Sequence, residues 1–264
     1  MRRIQSPSSI LTYKQCPRKY YYQYILQLPT KENFHLIRGK IAHEVLQNFF
    51  VHELIEDYNY RNQLEKRILG LLKATWENYS GKMKNLAQIE EIEASFHETQ
   101  LMLLNWLGQF FNKLETKTKK MSIGEAFKKL TPITEQEYLS PRLGVRGFID
   151  AIENHDGIIH VMDYKTSKYP EISDSQELQL SIYALLYKET HGKMPDKVGI
   201  FFLADTEQLM DVTEQLIEHA QKEIEEIHKN TESRKMDDYP MLTSPLCKWA
   251  TGQCDFYEEC FSGK

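Results

Sequence analysis

The chain has 264 residues, 41% hydrophobic and 27% charged, the balance of an ordinary globular protein of one large domain or two small ones. No run approaches the roughly 18 consecutive apolar residues of a membrane helix; the apolar patches Leu101–Phe111 and Gly199–Ala204 are short or interrupted. A collagen, a disordered tail and a membrane channel are therefore excluded. The opening Met1-Arg2-Arg3-Ile4-Gln5-Ser6-Pro7 is charged but has no apolar run behind it, so it does not read as a signal peptide and a cytoplasmic protein is expected. Net charge is −5, from 33 basic and 38 acidic residues, which argues against an indiscriminate nucleic-acid coat. It leaves room for an enzyme with a local basic track.

The first half reads as helical. Ser6-Pro7 offers a cap followed by proline at the first helical position, which predicts a helix running through Tyr24. From Arg38 to Glu56, apolar residues recur at Ile41, Val45, Leu46, Phe49 and Phe50 with a helical period. Arg61–Tyr79 and Leu86–Lys119 continue the pattern. In the stretch from Lys113 to Lys129, six lysines (Lys113, Lys117, Lys119, Lys120, Lys128, Lys129) face only Glu115 and Glu125. Charge alone favours a solvated helix end over a phosphate track there.

After Pro132 the character changes. Thr134–Leu139, Leu143–Glu153 and Gly157–Lys165 are rich in strand formers, and Asp156-Gly157 between the last two is a strong hairpin signal. A helix over Gln176–Glu189, a strand over Val198–Ala204 and a helix over Thr213–His228 follow, then a polar stretch and a cysteine-rich tail. This order predicts an α/β (α+β) domain with a central mixed β-sheet flanked by helices.

The most informative segment is Gly147-Phe148-Ile149-Asp150 followed by Val161-Met162-Asp163-Tyr164-Lys165. Residues two apart on a strand share a face, so Asp163 and Lys165 point together and Tyr164 points away. The hairpin can bring Asp150 beside Asp163. Paired carboxylates repel unless a cation lies between them. Mg²⁺ or Mn²⁺ would suit, keeping positions open for phosphate and water. A neighbouring lysine can orient or activate that water, which is the chemistry of phosphodiester hydrolysis.

With further pieces in the same order, the chain resembles the PD-(D/E)XK nuclease superfamily, in its RecB-like branch. That branch includes the AddB nuclease domain and the CRISPR-associated RecB-like exonucleases of spacer acquisition. The pieces are Ser8-Ser9-Ile10-Leu11-Thr12-Tyr13 leading to Cys16-Pro17-Arg18-Lys19-Tyr20, then Arg38-Gly39-Lys40-Ile41-Ala42-His43, then the two strand motifs. Gln179-Leu180-Ser181-Ile182-Tyr183 and the terminal cysteines complete the series. The resemblance implies a restriction-endonuclease-like core in a single domain over residues 1–264. Its parts would be a helical region (1–130), a catalytic sheet core (131–230) and a metal-binding tail (231–264). It implies that His43, Asp150, Asp163 and the main-chain carbonyl of Tyr164 bind the catalytic metal and that Lys165 serves the water. Gln179 and Tyr183 would orient the lysine or touch DNA. Glu137, on the preceding strand, is a further carboxylate that reads either as support for this site or as a surface residue.

Cys16 stands alone, while Cys247, Cys254 and Cys260 fall within the last eighteen residues. In a cytosolic chain such a set reads as metal-binding, as structural zinc or as an iron–sulfur site. The resemblance implies a [4Fe–4S] cluster on these four residues, although six residues separate Cys247 from Cys254 where the family commonly has two. By chain-entropy reasoning, a cross-link of that span would stabilise the fold by on the order of 5 kcal/mol. Tyr20, Tyr21, Tyr22 and Tyr24 beside Arg18 and Lys19 form either a base-stacking surface or a packed aromatic cluster. The function expected is a DNA exonuclease acting on single-stranded ends in repair, recombination or spacer acquisition. The alternatives are a non-cleaving DNA-end-binding subunit of a helicase–nuclease or spacer-acquisition complex, and a structural metal-binding protein.

Overall fold

The computed structural model describes residues 3–52, 59–167, 170–250 and 252–262. Helix α1 (Pro7–Gln15) begins with a reciprocal capping box between Ser6 and Ser9. It stops at Cys16 because Pro17 drives the preceding residue out of helical geometry, and Cys16 is extended at φ −164° and ψ 112°. The single helix predicted through Tyr24 is thus broken into α1, α2 (Pro17–Tyr20) and a π-helical turn, Tyr21–Ile25.

Helix α3 (Phe34–Phe49) is capped by Asn33 and starts one turn before the predicted Arg38. It ends at Phe49; residues 53–56 of that prediction lie outside the described residues. Helices α4 (Tyr60–Met83) and α5 (Ile89–Thr118) match the two long periodic stretches. A helix not read from the sequence, α6 (Ile123–Leu130), is closed by a capping box of Ser122 and Glu125.

Strands β1 (Ile133–Ser140), β2 (Val145–His155) and β3 (Ile158–Lys165) form an antiparallel meander. Asp156 and Gly157 both take positive φ, 56° and 102°, as the tight β2–β3 turn requires. Helix α7 (Asp174–His191) then crosses over to β4 (Lys197–Phe202), which pairs parallel to β3. The edge strand β5 (Glu207–Asp211), absent from the sequence reading, adds antiparallel to β4 and gives the order β1-β2-β3-β4-β5. Helix α8 (Glu214–Asn230) follows, and the tail ends in the short β6 (Lys248–Trp249), β7 (Gly252–Gln253) and α9 (Tyr257–Phe261).

Both sheet faces are covered, as the apolar alternation of the central strands demands. Met162, Tyr164, Phe201 and Leu203 pack with α3 to α6, while Val161, Val198, Ile200 and Phe202 pack with α1, α7 and α8. A third cluster joins Tyr20, Tyr21 and Tyr22 to Tyr239 and Phe256 of the tail. These three tyrosines are buried, so the packed-cluster reading holds for them and the base-stacking one does not. Among the described residues, no helix is long and apolar enough to cross a membrane.

Gly199 on β4 marks the tightest approach. A Cβ there would lie 2.5 Å from the Gln208 carbonyl of β5 and 2.6 Å from the Leu209 side chain. Gly199→Ala is expected to cost about 1–3 kcal/mol through overpacking against backbone. Gly70→Ala, on an exposed helix face with nothing within 4 Å, is expected to gain about 0.5–1 kcal/mol. Urea denaturation of the two variants beside wild type checks both signs.

Candidate active site

The site is built on β2 and β3, and the pairing registers explain how. The β1–β2 ladder runs Thr134↔Ala151 and Gln136↔Ile149, so Glu135 stands opposite Asp150 without a ladder pair. The β2–β3 ladder ends at Ala151↔Met162, one step short of the position where Asp150 would face Asp163. Glu135, Asp150 and Asp163 therefore occupy one row across three strands, and the ladders open at that row. In place of a ladder bond, the Tyr164 N–H donates to Asp150 Oδ2 at 2.8 Å. Ile149 and Ile152, three apart, both pack on the α7 side while Ala151 packs on the other. Regular in–out alternation is thus interrupted next to Asp150.

Helix α3 supplies His43. Its Nε2 donates to the Tyr164 carbonyl at 2.8 Å, because a carbonyl can only accept. On the other side of the ring, Nδ1 faces Asp150 Oδ2 at 3.3 Å and Glu135 Oε1 at 3.8 Å. The helix is docked one turn away by the buried Arg38, which donates to the Thr166 carbonyl at 3.3 Å and pairs with Glu98 of α5 at 2.9 Å.

Helix α7 supplies Gln179 and Tyr183 from one face. Gln179 Nε2 donates to Asp163 Oδ1 at 3.0 Å and to the Tyr183 hydroxyl at 2.9 Å, and its Oε1 accepts from Lys165 at 3.4 Å. Lys165 Nζ also lies 2.7 Å from Asp163 Oδ2. The buried Oδ2 thus has the Lys165 ammonium as its charge partner. Gly147 lets the Tyr183 ring lie flush on β2, since a Cβ there would meet it at 3.0 Å.

The electrostatics follow from burial and crowding. Burial, with Asp150 next in weight, lifts the Asp163 carboxyl to about 6 against the pull of Lys165. Burial opposes a charge on His43, but its hydrogen bonds to Asp150 and Glu135 win and raise it to about 10. Burial pushes the Tyr183 hydroxyl far above its ordinary value, so it stays protonated. An open groove of about 780 Å³, lined by Lys40, His43, Glu135, Asp150, Lys165 and Thr166, gives access.

The residues singled out from sequence thus converge from α3, β2, β3 and α7. One was missed: His43, Glu135 and Asp150 bring their ligand atoms within 4.8 Å of one another, a set that includes Glu135 and not Asp163. Glu137 is exposed and lies 3.6 Å from Arg146. Counting back through the β1–β2 register from the Ser140 turn would have placed Glu135 opposite Asp150. Its backbone at φ +48° marks it independently, since a non-glycine residue in that region is uncommon. Three of the six lysines in the stretch are tied into ion pairs. Lys113 meets Glu153 and Glu207, and Lys117 and Lys129 both pair with Asp156.

The four cysteines line one small cavity near the tail. Burial and then the neighbouring thiols of Cys16 and Cys254 raise the Cys260 thiol. No three of the four sulfurs lie within 4.8 Å of one another, so the cavity brings the cysteines together without closing them into a ligand set.

A five-stranded mixed sheet with helices on both faces, bearing an acid–lysine strand at its centre, is a restriction-endonuclease-like fold. The chain belongs to the PD-(D/E)XK nuclease superfamily, whose family profile matches residues 5–261. It is 33% identical over 117 residues to an ATP-dependent helicase/nuclease subunit of Streptococcus pyogenes serotype M5 (strain Manfredo), covering 43% of this chain and 9% of that protein. The corresponding protein of serotype M3 (strain SSI-1) is 32% identical over 117 residues, covering 43% and 8%. The chain therefore spans less than a tenth of the length of these curated relatives. A solved structure from Eubacterium rectale, described as a candidate exonuclease, is 10% identical with a TM-score of 0.49, covering 98% of this chain and 93% of that one.

The raised carboxyl of Asp163 has a stability signature. A group whose folded value lies above its unfolded value contributes stability below the unfolded value and loses it as pH climbs through the folded one. In chelator, Asp163→Asn should therefore gain on wild type as pH rises from about 4 to about 6.5, and the gap should then level off. Denaturant titrations across that range test this. A gap that stays constant with pH would mean that Asp163 titrates normally.

Proposed function

We propose that this chain is a divalent-metal-dependent DNA nuclease acting on single-stranded ends. The observation that carries the reading is that His43, Glu135 and Asp150 bring ligand atoms within 4.8 Å of one another, with Asp163 and its partner Lys165 in the same row. Such a set fits a cation, and its carboxylates with one imidazole fit Mg²⁺ or Mn²⁺. Asp150, Asp163 and His43 through Nδ1 would hold the ion, and Glu135 joins them as a further ligand; the Tyr164 carbonyl accepts from His43 Nε2 here and would reach the ion only if the imidazole turned away. When bound, the ion would neutralise charge developing on the phosphate and lower the pKa of a coordinated water.

The chain's own residues do the remaining work. Gln179 fixes the geometry: with both amide hydrogens committed to Asp163 and Tyr183, its carbonyl holds the Lys165 amine beside Asp163. Lys165 from that position meets the attacking water or the phosphate oxygen it approaches. The Tyr183 hydroxyl accepts from Gln179 and keeps its own proton to donate into the site. Lys40, on the groove wall, meets the nucleic-acid backbone.

End specificity and pathway are supported by the relatives' names, which pair nuclease with helicase, an activity that exposes single strands. Within this reading the chain is a cytoplasmic, single-domain nuclease, with residues 1–130, 131–230 and 231–264 as its helical, catalytic and tail parts. It would work beside a helicase in repair or recombination, or beside CRISPR adaptation proteins. Cys16, Cys247, Cys254 and Cys260 would hold a [4Fe–4S] cluster that ties the start of the chain to its tail. The cavity that all four line supports that assignment.

End-labelled single-stranded and duplex DNA, with Mg²⁺, Mn²⁺ or chelator, tests the nuclease. Asp163→Asn and Lys165→Ala should each lower cleavage by about 10²–10⁴-fold, and Glu135→Gln by about 10–100-fold. Cleavage that persists in chelator, or in both Asp163 and Lys165 variants, would refute the assignment. For the tail, anaerobically purified protein should carry iron and sulfide, and Cys260→Ser should lose both.

A further inference from the structure

The hairpin at the other end of β2 and β3 carries a second group of metal-ligating side chains, on the face turned away from α7. The register pairs Glu153 with His160, and His155 lies two residues beyond Glu153 on the same strand. All three side chains thus project from one face of a tightly turned hairpin. Their ligand atoms lie within 4.8 Å of one another, and the two imidazole rings are 4.5 Å apart between centroids. We propose that Glu153, His155 and His160 form a binding site for a borderline transition-metal ion of the Zn²⁺ class, separate from the nuclease centre.

Four observations support this site. First, the His160 Nδ1 is buried and has no hydrogen-bond partner among the described residues, a costly state that a bound ion or its water would relieve. Second, both donors to Glu153, His155 Nε2 at 2.7 Å and Lys113 Nζ at 3.3 Å, fall on Oε2, which leaves Oε1 for an ion. Third, Lys113 bridges Glu153 and Glu207, so it keeps a carboxylate partner if Glu153 turns to a metal. Fourth, a cavity of about 20 Å³ beside Glu153 and His155 has room for one water on the ion.

The donor set decides the metal. Two imidazoles and one carboxylate select Zn²⁺, Co²⁺ or Ni²⁺ over Mg²⁺, which prefers oxygen and keeps its waters. The carboxylate-rich row at Asp150 has the opposite preference. Because the three ligands are fixed by hairpin register, binding costs little backbone order.

The test is a Zn²⁺ titration of the full chain labelled with ¹⁵N-histidine, in excess Mg²⁺, read by long-range ¹H–¹⁵N spectra of the imidazoles. The ring nitrogens of His155 and His160, assigned with His155→Gln and His160→Gln, should shift together and saturate at one equivalent. The same shifts should persist in Asp163→Asn and in Cys254→Ser, which separates this site from the nuclease centre and from the cysteines. Each glutamine variant, and Glu153→Gln, should weaken Zn²⁺ at the remaining imidazole by at least about tenfold. If wild-type His155 and His160 signals stay unmoved by Zn²⁺, the proposal is overturned. It also fails if the shifts saturate unchanged in the Glu153→Gln variant.

Discussion

The crowding of negative charge at one row of the sheet constrains everything around it. Glu135, Asp150 and Asp163 are brought side by side by strand pairing, and Asp150 and Asp163 are buried. Carboxylates so placed repel, and the fold answers with groups from three directions. The Tyr164 N–H serves Asp150 from within the sheet, His43 arrives from α3, and Lys165 with Gln179 serves Asp163 from the α7 side. Each requires its helix to be held in place. Arg38 does this for α3 by capping the Thr166 carbonyl, and Gly147 does it for α7 by admitting the Tyr183 ring. The compensation remains partial, since burial and Asp150 still hold the Asp163 carboxyl up at about 6 against the pull of Lys165.

Segments near both ends of the described chain pack onto this framework. Gln5 bonds through its backbone to Gly144 and Arg146 at the start of β2, and its side chain reaches Tyr20. Tyr20 in turn stacks on Tyr239, and Tyr22 packs on Phe256. The aromatic cluster beneath the four cysteines is therefore continuous with the strand that carries Asp150. A cross-link among the cysteines would brace the origin of β2, not merely the tail.

Strands β2 and β3 carry two polar groups of contrasting chemistry. Between Asp150 and Glu153 the alternation of faces is interrupted, so one end presents acids toward His43 and α7, while the other presents Glu153, His155 and His160 toward α5. Tyr164 stands between them. Its carbonyl accepts from His43, and its ring lines the small cavity beside Glu153.

Local periodicity made much of this legible. The two-residue spacing of Asp163 and Lys165, the four-residue spacing of Gln179 and Tyr183, and the Asp156-Gly157 turn each depend only on the geometry of one element, and all three appear as read. The break at Cys16 was also readable from Pro17, because the steric rule it obeys is local. The polar β5 escaped because it is an edge strand that gains its place by pairing with β4; α6 was legible, since Ile123, Ala126, Phe127 and Leu130 recur at helical spacing behind the Ser122–Glu125 box, but its lysines drew the reading instead. The choice of Glu135 over Glu137 depended on strand register and on one backbone residue at φ +48°. The fate of the tyrosines at 20–22 depended on a tail more than two hundred residues away. Sequence by itself determined which side chains share a face, since that follows from bond geometry within an element. Only the tertiary structure decided which carboxylates meet and which rings are buried, because those outcomes are set by pairing and docking between distant segments.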